Sequence, residues 1–319
     1  MALGMQSAKG TPQVTAAKLR YAQYLSGNSF EPQLDIVDLR EGGDGLDFGY
    51  SYKKGQKVAG QLVVNLRPEI TGQVLQGALG GATWDGGSAP ALHTFHTGHA
   101  SFPWMTILAQ HPGSTIPHLL SDLLFTGGKI EMKSGEPWLF TAPFVAITHA
   151  ATFTAVVPTY IRDEPFVYHY APTYVLDGSA DSTIDSVTIE WGLGIEELQA
   201  QQVTLDDIAV QNRDTNIEVV RRYEAATLWK KVFMGGGLAP TQSVATGAFR
   251  GAVAYGAAGA AFRQLDVEAR LISYRGNGLT ELDPDGKTVK ETITAKVLKG
   301  ATHAVFAKLS NSHASAYVS

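Results

Sequence analysis

Cysteine is absent from the 319 residues. Its absence removes any disulfide framework and any thiolate nucleophile, and leaves the redox compartment unspecified. Charge is scarce too, at 17% of residues. The formal net charge of -5, from 25 basic and 30 acidic side chains, supplies no polycationic surface for counterion-release binding to nucleic acid. No run of about 18 apolar residues is present to cross a bilayer as a helix. Met1 to Thr15 lacks the apolar core of a signal peptide, so the expectation is a soluble chain with no membrane partner.

What is abundant points to β structure. Glycine reaches 34 residues, and short runs of Val, Thr, Ile, Tyr and Phe are separated by Gly, Pro, Asn and Asp. An internal repeat organises these runs. Gln61–Gly81 lies without gaps over Asn216–Gly236, at an offset of 155, with Val64/Val219, Arg67/Arg222, Glu69/Glu224, Gly80/Gly235 and Gly81/Gly236 identical. Both copies run from a β segment through an acidic residue into a helix that a glycine pair stops, as the helix dipole and left-handed C-caps favour. Ile70, Val74 and Ala78 with Leu75 and Leu79, and Ala225, Trp229 and Phe233 with Leu228 and Val232, fall at helical spacing. Each half therefore carries one short amphipathic helix.

Alternation of period two adds strands after each helix. In Gly128–Lys133 and Leu265–Leu271 apolar and charged residues alternate, and Trp138–Thr148 and Thr288–Leu298 follow the turns at Ser134–Pro137 and Asp283–Gly286. Earlier strands are expected over Leu19–Leu25, Phe30–Leu39 and Phe48–Leu66 in the first half. In the second half they are expected over Phe166–Tyr170, Ser186–Trp191, Ile195–Gln202 and Thr215–Tyr223. The Gly/Ala-rich Gly247–Ala261 reads as a flexible insertion. The unit boundary falls near residue 155, giving domains 1–155 and 156–319.

Motifs for chemistry are thin. His93, His96 and His99 are spaced three apart, but on a strand His93 and His96 face opposite sides, and no acidic neighbour stands ready to orient an imidazole on a metal. Gly80–Gly87 and Gly127-Gly128-Lys129 lack the spacing and hydroxyl residue of a phosphate-binding loop. Neither G-x-S-x-G nor H-E-x-x-H occurs. Glu196-Glu197 and Asp206-Asp207 read as solvated edge charges, and Trp191 and Trp229 as core side chains of a strand and a helix. Neither a catalytic residue nor a cofactor or metal site is assigned.

Gly4-Met5-Gln6-Ser7-Ala8-Lys9-Gly10-Thr11-Pro12 leading into Tyr21–Leu25 resembles the start of the tail tube proteins of long, non-contractile-tailed bacteriophages. Val58–Pro68 with its helix and glycine pair, Leu92-His93-Thr94-Phe95, Phe125–Lys133 and the strand from Trp138 follow in that family's order. Ser186–Gly192 is similar to the strand opening a second module in longer members. The resemblance implies a mainly β protein of two tandem tail-tube-like β-sandwich or barrel modules, each flanked by a short helix. It also implies a structural virion role in the tail after assembly in the host cytoplasm.

The partners it implies are further copies of the chain in stacked rings, trimeric and pseudo-hexameric or else hexameric. A tape-measure protein, tail-end capping proteins and viral DNA passing through the lumen without specific binding complete the set, and the net acidity and absence of a basic run add the expectation of an acidic lumen. Within Leu39–Lys57 it assigns inter-ring contact to Arg40, Glu41, Asp44, Asp47, Tyr50, Tyr52, Lys53 and Lys54. Another virion structural role (sheath, head completion or baseplate) and a carbohydrate-binding β-sandwich are the alternatives.

Overall fold

The computed structural model describes all residues except 24, 41–47, 99–100, 111–116, 152–163, 167–172, 201, 236–241, 260, 281–287 and 318–319. The described residues are mainly β. The first half contains β1 (Ala2–Met5), β2 (Arg20–Tyr21), β3 (Ser29–Leu39), β4 (Tyr50–Asn65), helix α1 (Pro68–Leu79), β5 (Ala82–Trp84), β6 (Ala91–His96), β7 (Met105–Ala109), β8 (His118–Phe125), β9 (Gly127–Lys133) and β10 (Leu139–Ala150). The second contains β11 (Thr173–Leu176), β12 (Ser179–Ala180), β13 (Ile184–Leu198), β14 (Asp207–Arg222), helix α2 (Thr227–Met234), β15 (Thr246–Tyr255), β16 (Arg263–Thr280), β17 (Lys290–Val297) and β18 (Val305–Asn311).

Antiparallel ladders link these strands into one open sheet. In the first half they run β1–β7–β8/β9–β10–β4–β3. In the second they run β11–β15–β16–β17–β14–β13, the same order. Even an irregularity recurs. Between the pairs Phe125↔Phe144 and Lys129↔Thr141, β8 and β9 advance one residue more than β10. Between Ile272↔Val297 and Gly276↔Thr294, β16 likewise advances one more than β17. Such a bulge adds local twist and turns the strand.

The core lies under the inward face of this sheet. Leu62, Val64, Phe140, Ile130, Met132, Ile189, Trp191, Ile217, Val219 and Ile293 form one continuous buried cluster with α1. Helix α1 begins with Pro68 at its first turn, where the missing N–H costs nothing, and ends at Gly80, whose φ of 87° is the left-handed cap. It is buried nearly throughout: β6 and β18 pack along it, and the C-terminal segment seats Tyr317 over Gly72.

Several sequence expectations need correction. The described residues of 19–25 contain only the two-residue β2, and β13 is one strand where two were read. Thr246–Tyr255 is a regular strand in a ladder with β16, not a flexible insertion, because small residues fit its close packing against Tyr174 and Met132. Glu224 lies ahead of α2 instead of in its first turn. Leu228 of α2 is buried and Val232 packs against the core, but Trp229 is 40% and Phe233 63% exposed, so that side of the apolar stripe has no cover among the described residues. Phe166 is buried outside any strand, and the rest of the expected strand 166–170 lies outside the described residues.

Candidate assembly interface

The two halves meet edge to edge. β9 pairs with β13 over seven residues, from Ser186↔Lys133 to Gly192↔Gly127, so that β3–β4–β10–β9 continues into β13–β14–β17–β16 as one strip. On its inward face Met132 meets Val187, Ile130 meets Ile189 and Gly128 meets Trp191. The last contact explains the glycine. A Cβ at Gly128 would lie 2.4 Å from the Trp191 ring, so only a bare backbone lets the indole lie flat. Trp191 is 1% exposed, and its Nε1–H donates to the Ala78 carbonyl at 3.2 Å.

Arg213 of β14 completes the same seam. Its guanidinium donates to the carbonyls of Leu79 at 3.1 Å and Thr97 at 2.6 Å, and lies 5.2 Å from the Phe102 ring centre. The last carbonyl of α1, which no intrahelical donor reaches, and the carbonyl just after β6 are thus satisfied from the other half of the chain. Burial pushes the Arg213 pKa down to about 10. Deeper in the second half, Arg221 bridges Asp181 at 2.7 Å and the fully buried Glu291 at 2.8 Å. Desolvation opposes both charged forms, but the paired hydrogen bonds outweigh it, holding Asp181 below and Arg221 above their ordinary values.

The outward face of the strip is polar and continuous. It presents Gln61, Thr141, Lys129, Glu131, Thr188, Glu190, Asn216, Glu218 and Thr294 in neighbouring strands, and two shallow concavities of about 600 and 540 Å³ lie along it. Lys129 is paired with Glu131 at 2.9 Å, and Lys296 with Asp214. Charges of both signs alternate here.

Beyond the strip, β3 and β4 continue as a two-stranded arm. Ile36 pairs with Lys53, Val37 with Tyr52, Asp38 with Ser51 and Leu39 with Tyr50, and nearly all of these side chains are exposed, Tyr50 by 64%. Tyr50 and Tyr52 stack with ring centres 6.3 Å apart. Lys54 reaches Asp35 at 3.5 Å and Lys53 donates to Gln56. Of the residues singled out from sequence, Tyr50, Tyr52, Lys53 and Lys54 therefore sit on a strand, not in a loop. Arg40 follows the end of β3, while Glu41, Asp44 and Asp47 lie outside the described residues. At the root of the arm, Gln56 N–H donates to Val203 at 2.8 Å and Lys57 pairs with Glu197 at 2.5 Å, tying it to the β13–β14 hairpin. Asp207 pairs with Lys9 at 3.1 Å. Of the four acids read as solvated edge charges, Glu197 and Asp207 are thus in ion pairs, while Glu196 accepts from Gln211 and Asp206 from Ala200 N–H and Gln202.

The histidines do not converge. His93 is buried on β6 with its Nε2 2.9 Å from the His313 carbonyl, His96 stacks on His303 at 3.8 Å, and His99 lies outside the described residues. Among the described residues no group of three or more His, Asp or Glu side chains is placed to hold a metal ion. Sequence reasoning missed the roles of Gly128 and Arg213. The glycine pair was noticed only as a poor phosphate loop, and nothing local to Arg213 distinguishes it.

The arrangement defines a structural protein: an open sheet with a polar face, seams built from backbone and aromatic contacts, and an arm that reaches away from the core. A family model described as phage tail tube protein matches residues 1–295, and the chain belongs to that family. No curated protein matches the chain. It is a structural component of the virion tail, and members of its family self-assemble into a tube.

Proposed function

We propose that this chain carries two fused tube modules, residues 1–155 and 156–319, and that three chains close into a pseudo-hexameric ring of a long, non-contractile tail. Stacked rings form the conduit through which DNA leaves the virion. The observation that carries this reading is the β9·β13 ladder, which joins two halves of equal strand order into one strip with a polar outward face. A heterologous contact of that kind, repeated with a fixed rotation, closes a ring, and a second contact stacks rings into a filament. The polar face lines the lumen, where its balanced charges offer phosphates no basic track to bind. A tape-measure protein occupies the lumen during assembly, and capping proteins close the two ends. The work is mechanical, and no side chain is assigned chemistry.

The β3–β4 arm, with Arg40, Glu41, Asp44, Asp47, Tyr50, Tyr52, Lys53 and Lys54, makes the contact between rings. An isolated two-stranded ribbon is marginal in water, and this one exposes Leu34, Ile36, Leu39, Tyr50 and Tyr52. Negative-stain electron microscopy with scattering mass over a concentration series tests the whole reading. Tubes with three chains per ring are expected; six chains per ring would remove the fused-module stoichiometry, and a monomer that never assembles with its tail partners would remove the ring. In the double variant Tyr50→Ser, Tyr52→Ser, subunit stability should stay within about 0.5 kcal/mol of the parent, as for exposed sites generally, while rings fail to stack. Full-length tubes from that variant would exclude the arm from the contact.

A further inference from the structure

The strip β3–β4–β10–β9–β13–β14–β17–β16 has two open ends. At one, β3 is laddered to β4 and, among the described residues, to nothing on its other side. At the other, β16 is flanked by β15 on one edge and by β18 and β17 on the opposite edge. Among the described residues the β15 edge is closed only as far as the bond from Tyr274 N–H to Ala245, and from Arg275 to Thr280 no strand is laddered to it.

We infer that these two ends join between copies of this chain in the register that the β9·β13 ladder already uses, with Ser29 opposite Gly276, Phe30 opposite Arg275 and Glu31 opposite Tyr274. The inference rests on the ring reading above. Its register follows from the repeat. Asn65 and Val220 are equivalent; they pair with Leu139 and Thr292, so Thr141 corresponds to Thr294, and their partners Lys129 and Gly276 correspond, each just past its bulge. Gln61 and Asn216 are equivalent as well, and pair with Ser29 and Glu190. Since Lys129 faces Glu190 within the chain, Gly276 faces Ser29 between chains.

Three observations at the free ends fit a second copy. Gly276 and Gly278 stand where β9 carries Lys129 and Glu131. A Cβ on Gly278 would meet nothing, one on Gly276 would press only on the Thr294 hydroxyl, and neither residue has a positive φ. Glycine inside a strand marks a bulge or the close approach of another backbone; Gly276 borders the bulge, whereas Gly278 lies two residues beyond it. Next, Asn277 donates from Nδ2 to the buried Glu291 at 2.5 Å, yet its Oδ1 is buried without a partner. Continuing the register places Asn277 opposite Asn28. Finally, Pro32 bounds the ladder after Glu31, where the β9·β13 ladder also stops, at Gly192. In this register Phe30 takes the place of Trp191 and faces Arg275.

The ladder starts at Ser29–Glu31. Residues Leu25–Asn28 form a turn, with Asn28 N–H bonded to Leu25 at 3.4 Å and the Asn28 amide bonded to both backbone groups of Val63. Opening that turn extends the pairing as far as Leu25 opposite Thr280.

The lack of cysteine gives a clean background for disulfide trapping. Facing residues of an antiparallel pair have Cα atoms about 4.5–5.5 Å apart, within disulfide reach, and separations beyond about 7 Å are not bridged. Ser29→Cys and Gly276→Cys single variants, mixed and oxidised after assembly, should give a band of doubled mass that reductant removes. Either variant alone, or Ser29→Cys mixed with Gly278→Cys, should not. The variant Lys129→Cys, Glu190→Cys is the positive control, forming its bond within one chain, and circular dichroism confirms that each variant is folded. If the unsubstituted protein forms rings but the Ser29–Gly276 pair gives no band, or no more than the Gly278 pair, the register is wrong and the tube reading stands. If it forms no rings, the tube reading fails and takes the inference with it.

Discussion

Replacing Trp191 with alanine empties a fully buried site at the seam between the halves and removes the bond from its Nε1 to the Ala78 carbonyl. Truncating a buried tryptophan costs about 3–5 kcal/mol. Gly128→Ala acts on the same contact from the other side: the added methyl lands 2.4 Å from the indole, and overpacking of that kind costs about 1–3 kcal/mol. In the double variant the indole is gone and the methyl enters empty space. The glycine substitution should then cost nothing or recover part of the cavity loss, leaving a coupling of about 1–3 kcal/mol between the two sites. Urea denaturation of dilute, unassembled subunit measures all four corners of the cycle, with midpoints compared at constant slope. Additive costs, within about 0.5 kcal/mol, would show that the glycine is not there to admit the tryptophan.

Two further outcomes follow from the same region and its neighbour. Arg213→Ala should lower stability by about 1.5–3 kcal/mol, the range for hydrogen bonds made by a charged group, and Arg213→Lys should recover little, because a single ammonium does not reach the Leu79 and Thr97 carbonyls as a guanidinium fork does; full recovery in thermal melts would refute the capping role. His313 is pushed down from 6.5 to about 4 by burial, with Arg20 and His93 adding to the effect. The unfolded chain then takes up a proton before the folded one, so stability is complete above about pH 6.5 and is lost as pH falls toward 4. Urea midpoints from pH 7 to pH 4 should fall less steeply in His313→Asn, and an unchanged slope would exclude this group.

Where the sheet is half solvated, the sequence was readable. β9 and β13 alternate in burial as their residues alternate in polarity, and α1 ends at the glycine cap that its repeat marks. β7 and β8 escaped because they are buried on both faces, and Met-Thr-Ile-Leu-Ala carries no period to read. β15 escaped for another reason: Gly-Ala-Phe-Arg-Gly-Ala-Val-Ala-Tyr has the composition of a flexible segment, and only its neighbours show that small side chains are what the space admits. The stripe of α2 was visible, but spacing gives the direction of an apolar face and not what lies opposite it. The seam was hidden for the same reason. Gly128, Trp191 and Arg213 are far apart in sequence, and each acquires its role only from the other half.

An open strip of antiparallel strands is a liability for a subunit that must wait for its partners, because unpaired edges template aggregation. Here each end is limited by its own residues. At β3, Pro32 withholds a donor, and the Asn28 side chain satisfies Val63 in place of a backbone neighbour, so the regular edge available before Pro32 is only Ser29–Glu31. At β16, the strand beyond Tyr274 is laddered, among the described residues, to β17 alone and carries two glycines, which weaken it as a template. A short edge facing a pliant one binds weakly as a single pair. A ring in which every chain uses both ends gains from closure, since the last joint forms within an assembly already held together. On the proposed ring reading, the same two ends that make a poor dimer interface suit a closed ring, and the turn at Leu25–Asn28 limits the edge until pairing with a neighbour opens it.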